Sequence, residues 1–314
     1  MPANPKQLQS ALERVAPEGL REVLRQKLTA DDFEGVVSYQ EVKEFAAENN
    51  LSIEQVVLIL AEAAKAFARP EISKFEVGAV AQGSTTKAFY LGANMEFAGG
   101  ALSFTLHAEQ AATTNAWDHG EEGLLLIAVN AAPCGYCRQF LYEVTTAVKL
   151  MVLLEGKKAR LLTEFLPEPF GPNDLGVQGG LMTPEDHDLE LAAPNEEPIV
   201  EAALAAADRS YAPLPYTPNS PSYAGAAVET ESEVVFAGAV ALNAAYNPSL
   251  SPLEAAMTRW NFSASRDDRI VRVALVQVEG AIADQTSATE AVVDSLRKSG
   301  PVTFDQYPAR IPGR

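Results

Sequence analysis

The sequence predicts an α/β protein in which helices cover a mixed sheet, and three observations predict it. Residues 75 to 165 pass between short β-rich runs and helical periods in the order β-β-α-β-α-β. Residues 225 to 298 repeat β-β-α-β-α at a spacing of about 145 residues, too long for a solenoid and consistent with two diverged copies of one domain. Ahead of both copies, residues 7 to 65 carry helical spacing alone.

In that first stretch Leu8, Leu12, Val15, Leu20, Val23, Leu24 and Leu28 recur at three- and four-residue steps, and Tyr39–Asn49 and Ser52–Ala68 continue the pattern. Asn50 or Ser52 caps the last of these helices, with Gln55 three residues after Ser52, and Pro70 stops it. Phe75–Ala81 and Lys87–Ala93 read as strands joined by the turn-like Gln82-Gly83-Ser84-Thr85-Thr86. Thr105–Asp118 reads as a helix ended by Gly120, and Leu124–Val129 as a buried strand. Cys137–Leu150 is a helix by period and Ala159–Phe165 another strand. Residues 166 to 200, rich in Pro, Gly, Asp and Glu, read as a long loop and linker. Beyond it come strands at Gly225–Val228, Val234–Leu242 and Ile270–Val278, and helices at Pro252–Trp260 and Ala288–Lys298. The expected division is an N-terminal helical module over 1–50, a first α/β domain over 51–166, a loop and linker over 167–200, and a second copy over 201–314.

The chain has 314 residues, about two average domains. Its 42 acidic and 24 basic residues give a net charge of −18, and no Lys/Arg cluster offers a groove for nucleic acid or an anionic membrane. Apolar runs such as Leu124–Val129 fall far short of the roughly 20 residues of a membrane span, and the start lacks the basic-then-apolar order of a secretory signal. A cytoplasmic protein is expected. The only cysteines, Cys134 and Cys137, are three apart, which suits metal binding or redox chemistry and no disulfide framework.

The informative constellation is His107-Ala108-Glu109 followed by Pro133-Cys134-Gly135-Tyr136-Cys137. One histidine and two thiolates make three ligands for Zn²⁺ and leave a fourth tetrahedral position open, as a catalytic site requires. The metal lowers the pKa of a water in that position towards 7. Glu109, two residues from His107, stays off the metal as a proton carrier. Both ligand groups fall at expected helix starts, where the positive end of the helix favours thiolates. A redox reading leaves His107 and Glu109 without a role. A purely structural zinc site needs a fourth ligand from His119 or His187, which otherwise read as solvent-facing turn residues.

The pairing of His-x-Glu with Pro-Cys-x-x-Cys is the signature of zinc nucleobase deaminases. With Ser73-Lys-Phe-Glu-Val-Gly-Ala-Val, Gly92-Ala-Asn-Met-Glu-Phe, Leu106-His-Ala-Glu-Gln and Pro133-Cys-Gly-Tyr-Cys-Arg-Gln-Phe, the chain resembles the cytidine deaminases in their two-domain bacterial homodimeric form. The resemblance runs on through Leu166-Pro-Glu-Pro-Phe-Gly-Pro-Asn-Asp-Leu and Asn243-Ala-Ala-Tyr-Asn-Pro-Ser-Leu and is weakest at the two ends. It implies a three-layer α/β/α fold with one catalytic domain and one diverged non-catalytic copy, a homodimer, and one zinc ion per subunit. It further implies His107, Cys134 and Cys137 as zinc ligands and Glu109 as the proton shuttle. Asn94 and Glu96 match residues that bind the ribose hydroxyls, and Phe75 matches an aromatic packed on the base. Phe170 matches one reaching across the dimer interface. The Ala108 amide would hold the pyrimidine O2, and the Ala132 carbonyl, where many relatives have Thr, would receive the leaving amine. The implied reaction is hydrolytic deamination of cytidine and 2′-deoxycytidine in pyrimidine salvage.

Aligning the second half places Ser251-Pro252-Leu253 where a functional copy has its ligand-x-Glu, and Leu242 where the ribose-binding Glu lies. No cysteine follows Cys137, so this copy builds no such metal site. Two rival functions are a deaminase of another base, including a nucleic acid editor, and a non-enzymatic module that binds zinc or nucleoside. The acidic charge opposes the first, and the presence of Glu109 opposes the second.

Overall fold

The computed structural model describes residues 5–213 and 221–313. The first helices form where the apolar spacing demands them: α1 (Pro5–Val15) and α2 (Glu18–Leu28) bury Leu8, Leu12, Leu20, Leu24 and Leu28. A two-residue strand, β1 (Val36–Val37), precedes α3 (Tyr39–Glu48) and α4 (Ile53–Ala64). Ser38 with Glu41, and Ser52 with Gln55, close capping boxes on these two helices, so Ser52 is the cap and Asn50 is not.

The chain divides into two compact units, the first holding the residues up to Glu96, Thr105–Pro169 and Asn261–Asp267, the second holding Phe97–Phe104, Phe170–Trp260 and the residues from Asp268 on. The first unit continues with β2 (Gly78–Gly83), β3 (Phe89–Ala93), α5 (Ala108–Asp118), β4 (Leu124–Val129), α6 (Gly135–Tyr142), β5 (Met151–Leu154), β6 (Arg160–Leu161) and α7 (Leu162–Phe165). Its sheet runs β1-β3-β2-β4-β5-β6, with β2 antiparallel to β3 and β4, and β4 parallel to β5. Leu24, Leu60 and Phe67 share one apolar cluster with Val80, Leu91, Ala128 and Leu153, so the N-terminal helices belong to the core of this unit. The pleat turns Gly92, next to Leu91, to the other face. There a Cβ on Gly92 would lie 2.2 Å from the Ala108 carbonyl, so α5 sits directly on the backbone of β3. The result is the three-layer α/β/α arrangement.

Three elements differ from expectation. The strand expected over Phe75–Ala81 begins at Gly78, because the Asn94 side chain takes the Val77 amide (2.8 Å) and the Phe75 carbonyl (2.9 Å) in place of a neighbouring strand. The helix expected over Cys137–Leu150 ends at Tyr142. Thr146 Oγ1 accepts from Leu124 N at 2.8 Å and donates to Leu124 O at 2.6 Å, which ties that segment to the start of β4 and lets Met151–Leu154 form the parallel strand β5. The strand expected over Ala159–Phe165 keeps only Arg160–Leu161 and then turns helical.

The β2–β3 turn is tied down by Glu121, which is 1% exposed. Its carboxylate accepts from Thr85 N (2.6 Å), Thr86 N (3.0 Å) and Tyr90 Oη (2.9 Å). Burial alone would raise this carboxyl, but the hydrogen bonds from Thr86, Thr85 and Tyr90 hold it below its ordinary 4.5. A depressed folded pKa means that the stabilisation is complete above the unfolded value and fades as the pH falls through the folded one. Glu121→Gln is therefore expected to cost about 2 kcal/mol in denaturant unfolding at neutral pH. The difference from the native chain should narrow in acid, and a gap that does not change with pH would contradict this account.

The second unit contains β7 (Glu190–Leu191), α8 (Pro198–Asp208), β8 (Ala224–Thr230), β9 (Val235–Ala239), all but the last residue of α9 (Pro252–Asn261), β10 (Ile270–Val278), α10 (Thr286–Leu296) and β11 (Thr303–Arg310). Three of these carried no expectation: β7, which falls in the stretch read as loop and linker, α8, which opens with Pro198 in its first turn, and β11. The sheet runs β7-β11-β10-β8-β9, with β8 antiparallel to β9 and β10, and β10 parallel to β11. This is the pairing of β3-β2-β4-β5 repeated strand for strand. Single bridges fix the register between copies: Met95 pairs with Arg69 and Leu106, and Ala241 pairs with Tyr211 and Leu250. The residues after the second bridge partners, His107 and Ser251, are therefore equivalent. So are Glu109 and Leu253, Asn94 and Val240, and Glu96 and Leu242. The second copy keeps the frame and lacks the functional side chains. Among the described residues no helix is long and apolar enough to cross a membrane.

Candidate active site

Two helix starts bring the metal-competent side chains together. His107 is the residue before α5, with its amide held by the Gln110 side chain at 3.1 Å. Cys134 caps α6, its sulfur accepting from Cys137 N at 3.4 Å. Cys134 Sγ lies 3.7 Å from His107 Nδ1 and 3.6 Å from Cys137 Sγ. A tetrahedral zinc with ordinary bond lengths would set a sulfur–sulfur separation of about 3.8 Å and a sulfur–nitrogen separation of about 3.6 Å, so this donor set fits the ion. Among the described residues it is the one group of three His, Cys, Asp or Glu ligands gathered in this way.

His119 and His187 lie elsewhere and are not the solvent-facing turn residues expected. His119 Nδ1 is 2.8 Å from the Asn115 carbonyl, and His187 stacks on Tyr223 with its Nε2 2.7 Å from the Ser210 carbonyl. Neither supplies a fourth ligand.

The thiols are already polarised. The hydrogen bonds from Cys137 and His107 pull Cys134 down to about 3, while the same Cys134 partnership and burial push Cys137 up. Both sulfurs lie at the positive end of α6, which favours the thiolate form that a cation binds. The Tyr136 ring stacks on the His107 imidazole at 5.3 Å. Arg138 donates to the carbonyls of Pro133 (2.8 Å) and Phe165 (2.9 Å), which pins the loop that carries Cys134.

A cavity of about 250 Å³ opens beside the donors, and Glu109, Ala108, Ala132, Phe75, Asn94 and Glu96 line it together with His107 and Cys134. Cys137 is fully buried. Glu109 is 4% exposed, and burial raises its carboxyl above the ordinary value. A buried carboxyl whose proton affinity is raised suits proton transfer. Phe75 is 61% exposed. Phe170 belongs to the second unit and is 45% exposed.

Asn94 and Glu96 are anchored and still retain bonding capacity. Asn94 spends Oδ1 and one N–H on the 75–77 backbone, which leaves one N–H. Glu96 Oε2 accepts from Ile72 N and Ser73 N, both at 2.7 Å, and Oε1 accepts from Ser73 Oγ at 2.5 Å, which leaves Oε1 a lone pair. Burial would raise Glu96, and its bonds to Ser73 and Ile72 hold it below the usual carboxylate value. A remaining donor and a remaining acceptor side by side match a hydroxyl group. Ser73, Val77, Thr105 and Ala131 also line the cavity and had drawn no expectation. Ser73 stands in a quoted motif, but its bond to Glu96 joins residues 23 apart and is invisible in the chain order.

Comparison with known proteins agrees with this reading. Residues 52–154 and 162–290 each match a profile of the cytidine and deoxycytidylate deaminase zinc-binding region. The chain is 41% identical to the cytidine deaminase of Aliivibrio fischeri over 92% of its own length and 95% of that protein. It is 39% identical to those of Serratia proteamaculans and Yersinia pestis over 89% of its length and 92% of theirs. At such identity over nearly the whole of both sequences, the chain belongs to the zinc-dependent cytidine deaminase family.

Proposed function

We propose that this chain hydrolyses cytidine and 2′-deoxycytidine to uridine and 2′-deoxyuridine, releasing ammonia, as a cytoplasmic enzyme of pyrimidine salvage. The observation that carries it is the buried Glu109 beside the metal-competent triad, in a cavity whose other residues include the hydroxyl-matched pair Asn94 and Glu96.

A zinc ion held by His107, Cys134 and Cys137 would supply an activated water and stabilise negative charge at the reacting carbon. Glu109 takes a proton from the attacking water and delivers it to N3 of the ring as the new C4–O bond forms. It then takes the proton of the new C4–OH group and passes it to the exocyclic nitrogen, so that C4=O forms as the C4–N bond breaks and ammonia leaves. The Ala108 amide, at the first position of α5, has no acceptor within its helix and is available to O2 of the base. The Ala132 carbonyl receives the departing amine, and Phe75 packs on the base. Among the described residues lining the cavity none is Lys or Arg, and Glu96 would repel a phosphate, which favours the free nucleoside as substrate.

Phe75 and Phe170 leave much of their rings uncovered in the single chain. The proposed particle is a homodimer in which Phe170 covers the site of the other subunit. A monomer with full activity in sedimentation would refute that assembly.

Ultraviolet absorbance should show turnover of cytidine and none of adenosine or cytidine monophosphate. Turnover of either of the latter, with cytidine inert, would overturn the assignment. Asn94→Ala removes one ribose contact and the anchor of residues 75–77, and kcat/KM for cytidine is expected to fall about 10- to 100-fold, mostly through KM.

A further inference from the structure

Besides its bonds to residues 72–77 and to Leu106, the edge that carries Asn94 and Glu96 is held by Arg69. Arg69 N donates to Asn94 O at 2.8 Å, and Glu96 N donates to Arg69 O at 3.0 Å, so the backbone of Arg69 sets the height of both residues at once. Its side chain is gripped by Asn261–Asp267, a segment that comes from the C-terminal half of the sequence and belongs to the first unit. Arg69 Nε donates to Asn261 Oδ1 at 2.9 Å, and its terminal nitrogen donates to the Arg266 carbonyl and lies 3.6 Å from the Asp267 carboxylate. The same segment holds the residues just before Arg69. Asn261 Nδ2 donates to Phe67 O at 2.9 Å, Arg266 donates to Ala66 O at 3.3 Å, and the Phe262 ring packs on Phe67 at 4.6 Å. Residues 66–69 are thus held from one side by 261–267, while they hold 94–96 on the other.

The second copy acts as an internal control. Tyr211 makes the same two backbone bonds, to Val240 and from Leu242, at 3.0 and 2.9 Å. The frame therefore forms without an arginine at this position, in the copy that lacks the Asn and Glu. The clasp in the first copy is also costly. It buries two guanidinium groups near each other, and burial and the neighbouring Arg69 push Arg266 down to about 10. Apolar packing would secure the segment with less desolvation.

We propose that Arg69, clasped through Asn261, is a positioning residue that sets the ribose-binding edge Asn94–Glu96; the proposal rests on the nucleoside reading above. Glu109 and the metal-competent triad lie at the starts of α5 and α6 and meet this edge through the bridge of Met95 with Leu106, the residue before His107, so a variant that disturbed the edge as a whole would lose turnover of both substrates alike.

The test compares cytidine with 2′,3′-dideoxycytidine, which lacks the hydroxyls in question, in the full-length protein loaded with zinc. In the native chain the ratio of kcat/KM values favours cytidine strongly. A ratio near one would defeat the ribose reading itself, whatever the variants do. In Asn261→Ala the ratio is expected to fall about tenfold, the loss of roughly one well-placed hydrogen bond, with dideoxycytidine turnover and bound zinc unchanged. Asn261→Asp, which keeps the oxygen facing Arg69 and loses the donor to Phe67 O, should restore the ratio only in part. Arg69→Lys reads the same quantity should Asn261→Ala not fold. A ratio unchanged while the melting temperature drops, an equal loss on both substrates, or failure of both variants to fold would each make the clasp merely structural and overturn the proposal.

Discussion

Glu109→Ala is expected to fold, to retain its zinc, and to lose about 10³- to 10⁴-fold in kcat/KM for cytidine, the upper end of the usual contribution of a general acid/base. The upper end applies because one carboxyl serves two successive transfers, first to the ring nitrogen and then to the leaving amine. Nothing nearby replaces it. Glu96, the other carboxylate lining the cavity, is anchored by Ile72 and Ser73, and those bonds hold it below the usual carboxylate value, which makes it a poor proton donor. Metal analysis and circular dichroism would establish that the variant is intact, and absorbance at high enzyme concentration would measure the residual rate. More than a tenth of native activity in a zinc-loaded variant would remove Glu109 from the proton path.

Cys137→Ser is expected to abolish stoichiometric zinc and reduce turnover to background. Cys137 is fully buried and sits 3.6 Å from Cys134, so its loss leaves a two-donor site with no replacement ligand among the described residues. The variant also reports on stability. A ligand present at a thousand times its dissociation constant stabilises the folded state by about 4 kcal/mol. For a unit of this size that corresponds to a melting temperature shift of about 10 °C. A chelator should therefore lower the melting temperature of the native chain by about that amount and leave Cys137→Ser unmoved. Equal responses to the chelator would show that the metal binds elsewhere.

The metal donors and Glu109 were legible in the sequence because each motif is compact: His107 and Glu109 are two residues apart, and the cysteines three apart. The starts of α3 and α4 were legible for the same reason, since a cap is a contact over three residues, whereas the helices expected from Thr105, Cys137 and Ala288 begin at Ala108, Gly135 and Thr286. The boundaries that were misread depend on partners remote in the chain. The early end of α6 follows from Thr146 bonding to Leu124, 22 residues away. The late start of β2 follows from Asn94 bonding to Phe75, 19 residues away. The loss of function in the second copy was legible as absent residues, but its register was secured only by the bridges of Ala241 with Tyr211 and Leu250.

By itself, then, the sequence determined which groups are at hand: one imidazole, two thiols and a carboxyl at spacings that local helix geometry makes meaningful, together with a duplicated α/β pattern. Tertiary structure alone decided how the substrate edge is held. Ser73 meets Glu96, and Arg69 meets Asn261 across 192 residues, because side chains brought together by burial must satisfy their hydrogen bonds with whatever the fold places beside them. No local pattern encodes such a meeting, since either residue alone has the propensities of an ordinary surface group.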